Sequence, residues 1–148
     1  MTAFFEQLQT GFALHGDEFA VTRETIRAFG ESTLDFNPLH FDDKFMEGNF
    51  GKTNFGGVIM HGLTSYGLIA RMLTDWGYAN GGMLRRMEAR WVSPVRPGDV
   101  VKPQATLREK KKTSKSQWVV LDFELRNQSE RVVAKGEAQL EFPGGASA

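Results

Sequence analysis

Beyond residue 82 the chain keeps to one habit: apolar side chains recur at every second position, in segments separated by turn residues. Residues 118–126 are the plainest case, with Val119, Leu121, Phe123 and Leu125 on one face and Asp122 and Glu124 on the other. Residues 131–142 set Val132, Ala134, Ala138 and Leu140 against Lys135, Glu137, Gln139 and Glu141. Residues 83–92 carry Met83, Met87, Ala89 and Trp91 among Leu84, Arg86, Glu88 and Arg90, and residues 100–108 form the remaining candidate. A two-residue period with one apolar face predicts antiparallel strands that cover something on one side only. The covered element is predicted just upstream. Residues 62–76 spread Leu63, Tyr66, Leu68, Ile69, Met72 and Leu73 around most of a helix, and a helix apolar on most sides is a buried one. A curved antiparallel sheet wrapped about one long central helix, an α+β arrangement, uses all of these segments.

The remaining chain is shorter of signal. Thr22 is a plausible N-cap for a helix over 24–32 that puts Ile26 and Phe29 on one face. Residues 34–55 read as a polar loop, because Pro38 pushes Asn37 out of the α region, with a further helical turn around 42–46. Gly56-Gly57 and Gly81-Gly82 bracket the long helix, and Pro94-Val95-Arg96-Pro97-Gly98-Asp99 is a turn. Phe4, Phe5 and Phe12 are expected in the core or an interface. The run Lys110, Lys111, Lys112 and Lys115 reads as a solvated hairpin tip. Arg85, Arg86 and Arg90 read as a solvated sheet face, with a pyrophosphate grip as the rival use. With no repeat and no linker, a single domain over 1–148 is expected, ending in a short flexible tail at 143–148.

Composition narrows the function. Eighteen basic and eighteen acidic residues give no net charge, which excludes a nucleic-acid binder that depends on surplus Lys and Arg. No cysteine means no disulfide, no thiolate nucleophile and no Cys-ligated zinc or iron–sulfur cluster. The N-terminal residues lack a basic start, and Glu6 interrupts their apolar run, so no signal peptide is expected. Residues 58–76 carry His61, Arg71 and Asp75, too polar a stretch for a membrane span. A cytoplasmic protein is the expectation.

Chemistry concentrates in two places. Asp35-Phe36-Asn37-Pro38-Leu39-His40 puts a carboxylate, an amide and an imidazole on a proline-stiffened loop, where an Asp and a His held together can grip one water. The plainer alternative is that Asp35 caps a turn and His40 is a satisfied buried histidine. No metal is expected. An EF-hand register from Asp35 fails at His40 and Met46, and three histidines without paired spacing do not make a zinc site. The second place is Gly56-Gly57-Val58-Ile59-Met60-His61-Gly62. The first amides of the helix it opens have no internal partner, so Gly62 N–H is a candidate oxyanion donor, unless the glycines serve only loop geometry. Ser65 is a weak nucleophile candidate, since Leu63 stands where G-x-S-x-G needs glycine. It is expected to face backbone inside the helix.

Asp35-Phe36-Asn37-Pro38-Leu39-His40, then His61-Gly62 opening an apolar helix, then the Pro94 to Asp99 turn, together resemble the MaoC-like (R)-specific enoyl-CoA hydratases over roughly residues 15–142. The resemblance implies a hotdog fold and a homodimer whose sheets join edge to edge, with acyl-CoA along the interface. It implies that Asp35 and His40 hold the water that adds to C3 of an enoyl thioester, and that Gly62 N–H stabilises the thioester oxygen. Asn37, His61 and Ser65 are the residues expected to bind substrate, and no cofactor is expected beyond the CoA carried by the substrate. Val58 stands where many members carry proline. The alternatives within reach of the same motif are a 3-hydroxyacyl-ACP dehydratase, with Lys110 to Lys115 as a patch for acyl carrier protein, a hotdog thioesterase, and a non-catalytic thioester-binding subunit. Tyr66, Met72, Trp76 and Met83 are candidates to shorten the acyl pocket.

Overall fold

Elements that alternation does not reveal come first along the chain. The computed structural model describes residues 2–50 and 52–144, and opens on α1 (Thr2–Gln7), β1 (Ala13–His15) and β2 (Phe19–Ala20). Strands of three and two residues fall below any length at which a period can be read. Helix α2 (Arg23–Thr33) follows, one residue longer at each end than predicted. Thr22 Oγ1 accepts from Thr25 N at 3.1 Å while Thr25 Oγ1 accepts from Thr22 N at 2.9 Å, a reciprocal cap that satisfies two amides left open at a helix start. Leu34 ends the helix in the left-handed region, φ 59°.

The central helix α3 (Gly62–Ala79) runs three residues past its predicted end, to where Asn80 Nδ2 donates to Trp76 O at 2.7 Å. The sheet is built from β3 (Met83–Trp91), β4 (Val100–Lys112), β5 (Gln117–Asn127) and β6 (Val132–Phe142). Its order is β1-β4-β5-β6-β3, with β2 also on β4 and every pairing antiparallel. Ile69, Met72 and Leu73 of α3 sink into the core that Leu107, Leu121, Phe123, Leu125, Ala138 and Leu140 supply from the sheet. Each large side chain so buried contributes roughly 1.5–3 kcal/mol. This is the α+β hotdog arrangement. The helix is less enclosed than its apolar circumference predicted, because Leu63 and Tyr78 are exposed.

Strand β4 corrects the reading of the lysines. It extends to Lys112, so Lys110, Lys111 and Lys112 are strand residues and the tip is the turn in which Thr113 N donates to Ser116 O at 2.8 Å. Lys110 Nζ donates to Leu8 O at 2.7 Å and lies 4.8 Å from the Phe5 ring centroid, and Lys112 pairs with Glu6 at 2.5 Å. The basic run therefore ties the sheet to α1. Phe5 is buried, Phe4 meets Trp76 and Phe142, and Phe12 stacks on Trp76 while staying partly exposed. Among the described residues no helix is long and apolar enough to cross a membrane. Gln117 Nε2 donates to Pro143 O at 2.7 Å, and the expected tail from residue 145 onward lies outside the described residues.

Strand β3 breaks the simple alternation. A bulge between Leu84 and Arg86 resets the register, so Leu84, Met87 and Ala89 pack against the core and Met83 is exposed. Arg85 pairs with Glu141 at 2.6 Å and Arg86 with Glu88, which commits two of the three arginines to sheet carboxylates. Opposite Ala89, Gly136 lets β6 and β3 close on each other: a methyl there would lie 1.8 Å from Glu88 O and 2.7 Å from the Phe123 ring. Gly136→Ala is expected to lower stability by about 1–3 kcal/mol, the usual cost of overpacking a filled site. A urea midpoint equal to the parent's would contradict this pairing.

Candidate active site

The Asp35 loop, expected from Pro38 to be stiff, owes its shape to a short turn of its own. Asn37 Oδ1 accepts from Leu39 N at 3.1 Å and Pro38 takes the first position, so Pro38–His40 form one tight 3-10 turn. A second turn, Phe45–Glu47, replaces the one expected around 42–46. Asn37 thus spends its side-chain oxygen on the loop. Asp35 Oδ1 accepts from Asn37 N at 3.3 Å, and the loop is stitched to the segment before α3 by Ile59 N donating to Leu39 O at 3.1 Å. His40 closes the seam: its Nδ1–H donates to Ile59 O at 2.7 Å, which leaves Nε2 with the lone pair. Burial pushes the His40 imidazole below the usual histidine range. The Ile59 carbonyl opposes that shift, neighbouring His61 adds to it and Asp35 works against it.

His61 is placed differently from its prediction as a substrate-binding residue. It is 1% exposed and stacks on His40, ring centroids 3.7 Å apart and 25° from parallel. Phe29 and Phe41 flank it at 4.9 and 5.7 Å. Its Nε2–H donates to the backbone oxygen of Asp35 at 3.1 Å, and its buried Nδ1 has no partner among the described residues. An unpaired buried polar atom of this kind costs roughly 1–3 kcal/mol.

Asp35, His40 and His61 offer ligand atoms within 4.8 Å of one another, a cluster that their spacing in the sequence concealed. The stacking argues against a metal in it. An ion bound roughly 2.0–2.1 Å from an imidazole nitrogen sits in that ring's plane, and two stacked rings cannot share such a point.

Gly62 is the first residue of α3, and among the described residues its N–H donates to no protein acceptor. Trp91, at the end of β3, donates from Nε1 to Gly62 O at 2.8 Å. A Cβ on Gly62 would lie 2.7 Å from that indole nitrogen, so only glycine allows the approach. Ser65, expected to face backbone, instead borders a cleft, is 3% exposed, and its Oγ makes no hydrogen bond among the described residues. The cleft, about 450 Å³, also touches His40, Gly62 and Thr53. Its walls are Leu39, Phe55, Ile59, Met60, Trp91 and Val95, not the Tyr66, Met72, Trp76 and Met83 expected to line an acyl pocket. Tyr66 instead gives its hydroxyl to Met87 O at 3.1 Å. Trp91 and Phe55 are the site residues the sequence reading missed. Arg96 fixes Phe55 by donating from Nε to its carbonyl at 2.8 Å. A depression of similar size, about 460 Å³, lies among Glu88, Arg90, Asp122, Glu124, Lys135 and Glu137 and contains none of the residues predicted for the site.

An imidazole lone pair with a carboxylate in reach, on an apolar cleft that also exposes an unpartnered helix amide, can hold a water and activate a carbonyl conjugate next to it. Residues 9–127 match the protein family described as MaoC like domain. No curated protein matches the chain. Among solved structures, a monoamine oxidase regulatory protein from Archaeoglobus is 26% identical, with a TM-score of 0.82 over 95% of this chain and 94% of that one. The unliganded R-hydratase PhaJ1 from Pseudomonas aeruginosa is 24% identical, TM-score 0.77, over 95% and 86%. The (R)-hydratase from A. caviae involved in PHA biosynthesis is 23% identical, TM-score 0.78, over 93% and 99%. At these identities the two hydratases attest the shared fold.

Proposed function

The chain belongs to the MaoC-like domain family, and we propose that it hydrates trans-2-enoyl-CoA to (R)-3-hydroxyacyl-CoA, or runs the reverse dehydration. The observation that carries the proposal is that His40, grouped with Asp35 and His61 within 4.8 Å, borders the same apolar cleft as Gly62, whose amide donates to no acceptor among the described residues. In hydration, Asp35 and His40 hold one water between them. Its oxygen bonds to C3, one of its protons passes to the pair at the His40 Nε2 lone pair, and that proton is returned to C2 on the same face. The pair ends as it began, a neutral imidazole and a carboxylate, so no cofactor enters the balance. With Nδ1 tied to Ile59 O, His40 exchanges protons only through Nε2. Negative charge that builds on the thioester oxygen falls to Gly62 N–H.

We assign CoA over acyl carrier protein because Lys110 and Lys112, half of the basic run that would receive the carrier, are engaged by Leu8 and Glu6. A homodimer fits the open edge of β3, the terminal strand of the sheet. The test is crotonyl-CoA mixed with the purified protein, following enoyl-thioester absorbance and free thiol together. Absorbance lost without thiol release is the expected result. Thiol release would make the protein a thioesterase. Turnover confined to crotonyl-ACP would overturn the CoA assignment, and no turnover of either would favour a binding subunit.

A further inference from the structure

We infer that His61 is a positioning residue: by stacking on His40 and holding the Asp35 carbonyl it fixes the two acid–base groups against each other and against the start of α3. For its kinetic arm this rests on the hydratase reading; its structural arm does not.

The inference starts from what His61 joins. It lies 26 residues from Asp35 and 21 from His40 in sequence, yet it touches both, one by a 3.1 Å hydrogen bond and the other face to face at 3.7 Å. It is also the N-cap of α3, so the next amide in the chain is that of Gly62, and its side chain makes no cap bond of its own. One buried ring, carried by the residue that caps the helix, therefore touches both the loop bearing the carboxylate and the imidazole. Phe29 on one side and Phe41 on another leave it no room to turn.

Packing does not explain an imidazole here. Nδ1 finds no partner among the described residues, so a purely structural position would be better filled by an apolar ring. The one thing the imidazole does that such a ring cannot is donate to Asp35 O. That bond acts on the backbone of Asp35 and leaves the carboxylate free. His61 does not border the cleft, so its effect passes through its neighbours.

Three variants test this. His61→Phe keeps a ring and loses the donor. His61→Gln loses the ring and keeps an amide N–H at the reach of Nε2. His61→Asn is smaller and too short to reach Asp35 O, and stands in should phenylalanine prove too large to fold. In the Phe and Asn variants, amide hydrogen exchange at residues 35–41 is expected to quicken, while exchange in the strands β4 to β6 stays as in the parent. Both are expected to lose roughly 10- to 100-fold in kcat with KM within about twofold, the mark of misplaced groups and not of lost binding. His61→Gln is expected to recover most of the loop protection and of kcat. Loop exchange unchanged in the Phe and Asn variants would overturn the inference, whatever the parent does to an enoyl thioester. So would a Gln variant as fast-exchanging and slow-turning as the other two. If the parent hydrates nothing, the exchange data decide the positioning claim alone, and the hydratase reading falls separately.

Discussion

Asp35→Asn folds as the parent does and loses at least about 100-fold in kcat, the lower range for a general acid–base group. Asparagine keeps the shape and the acceptor that takes Asn37 N at 3.3 Å, so the loop keeps its hydrogen bonds. What it loses is the ability to take or give a proton. His40→Ala falls at least as far, with some stability lost as well, because it also breaks the 2.7 Å bond to Ile59 O and removes the ring on which His61 rests. The pH profile carries a signature of its own. Only the neutral imidazole offers Nε2 as an acceptor, so activity is lost as His40 takes up a proton. Burial pushes His40 below its ordinary value, so the neutral form persists to lower pH and the acid limb of kcat/KM lies below about 6.5. The limb is absent from whatever activity His40→Ala retains. An acid limb above that value, or a folded Asp35→Asn enzyme at parental rate, would remove the pair from the mechanism.

Gly62→Ala is the second large effect, and it separates geometry from stability. The new methyl meets the Trp91 indole at 2.7 Å from Nε1 and 2.8 Å from Cε2. Trp91 is half exposed at the end of an edge strand, so it can swing away at the cost of its bond to Gly62 O. The loss of one such bond is worth about 0.5–1.5 kcal/mol, and the variant stays folded. Turnover is expected to suffer more, because the methyl sits two bonds from the amide that a thioester oxygen would approach. Loss of one oxyanion donor costs about 10²–10³ in kcat. A Gly62→Ala/Trp91→Ala double variant, which removes the contact, is expected to melt no lower than Trp91→Ala alone and to turn over well below it. A double variant as fast as Trp91→Ala would assign the effect to the indole contact alone.

Most of the frame was legible because period and burial coincide over long segments. β5 and β6 alternate over most of their length, broken where Val120 and Val133 are also buried, and both were placed to within a residue. Where physics added a second requirement, the pattern misled. Lys110 and Lys112 looked like a hairpin tip because charge was read as exposure, whereas their long stems let strand residues reach the carbonyl of Leu8 and the carboxylate of Glu6. The bulge after Leu84 moved Met83 to the surface, and a one-residue bulge leaves no mark in composition. In the site, Asp35, His40 and Gly62 were visible as local clusters with chemistry of their own. His61 was visible too, yet its role was not, since stacking on His40 depends on two distant segments crossing. Trp91 carried a weak signal: it ends the apolar face of β3 at a position beyond the core, where a tryptophan needs a partner for its N–H.

The central claim is that Asp35 and His40 add water across an enoyl thioester from one face. The measurement that tests it most directly is hydration of crotonyl-CoA in D₂O, with the configuration of both carbons read in the product. The account predicts a (3R)-hydroxyl and one deuterium at C2, delivered to the same face as the oxygen. A (3S) product, deuterium on the opposite face, or CoA released with the double bond intact would contradict it.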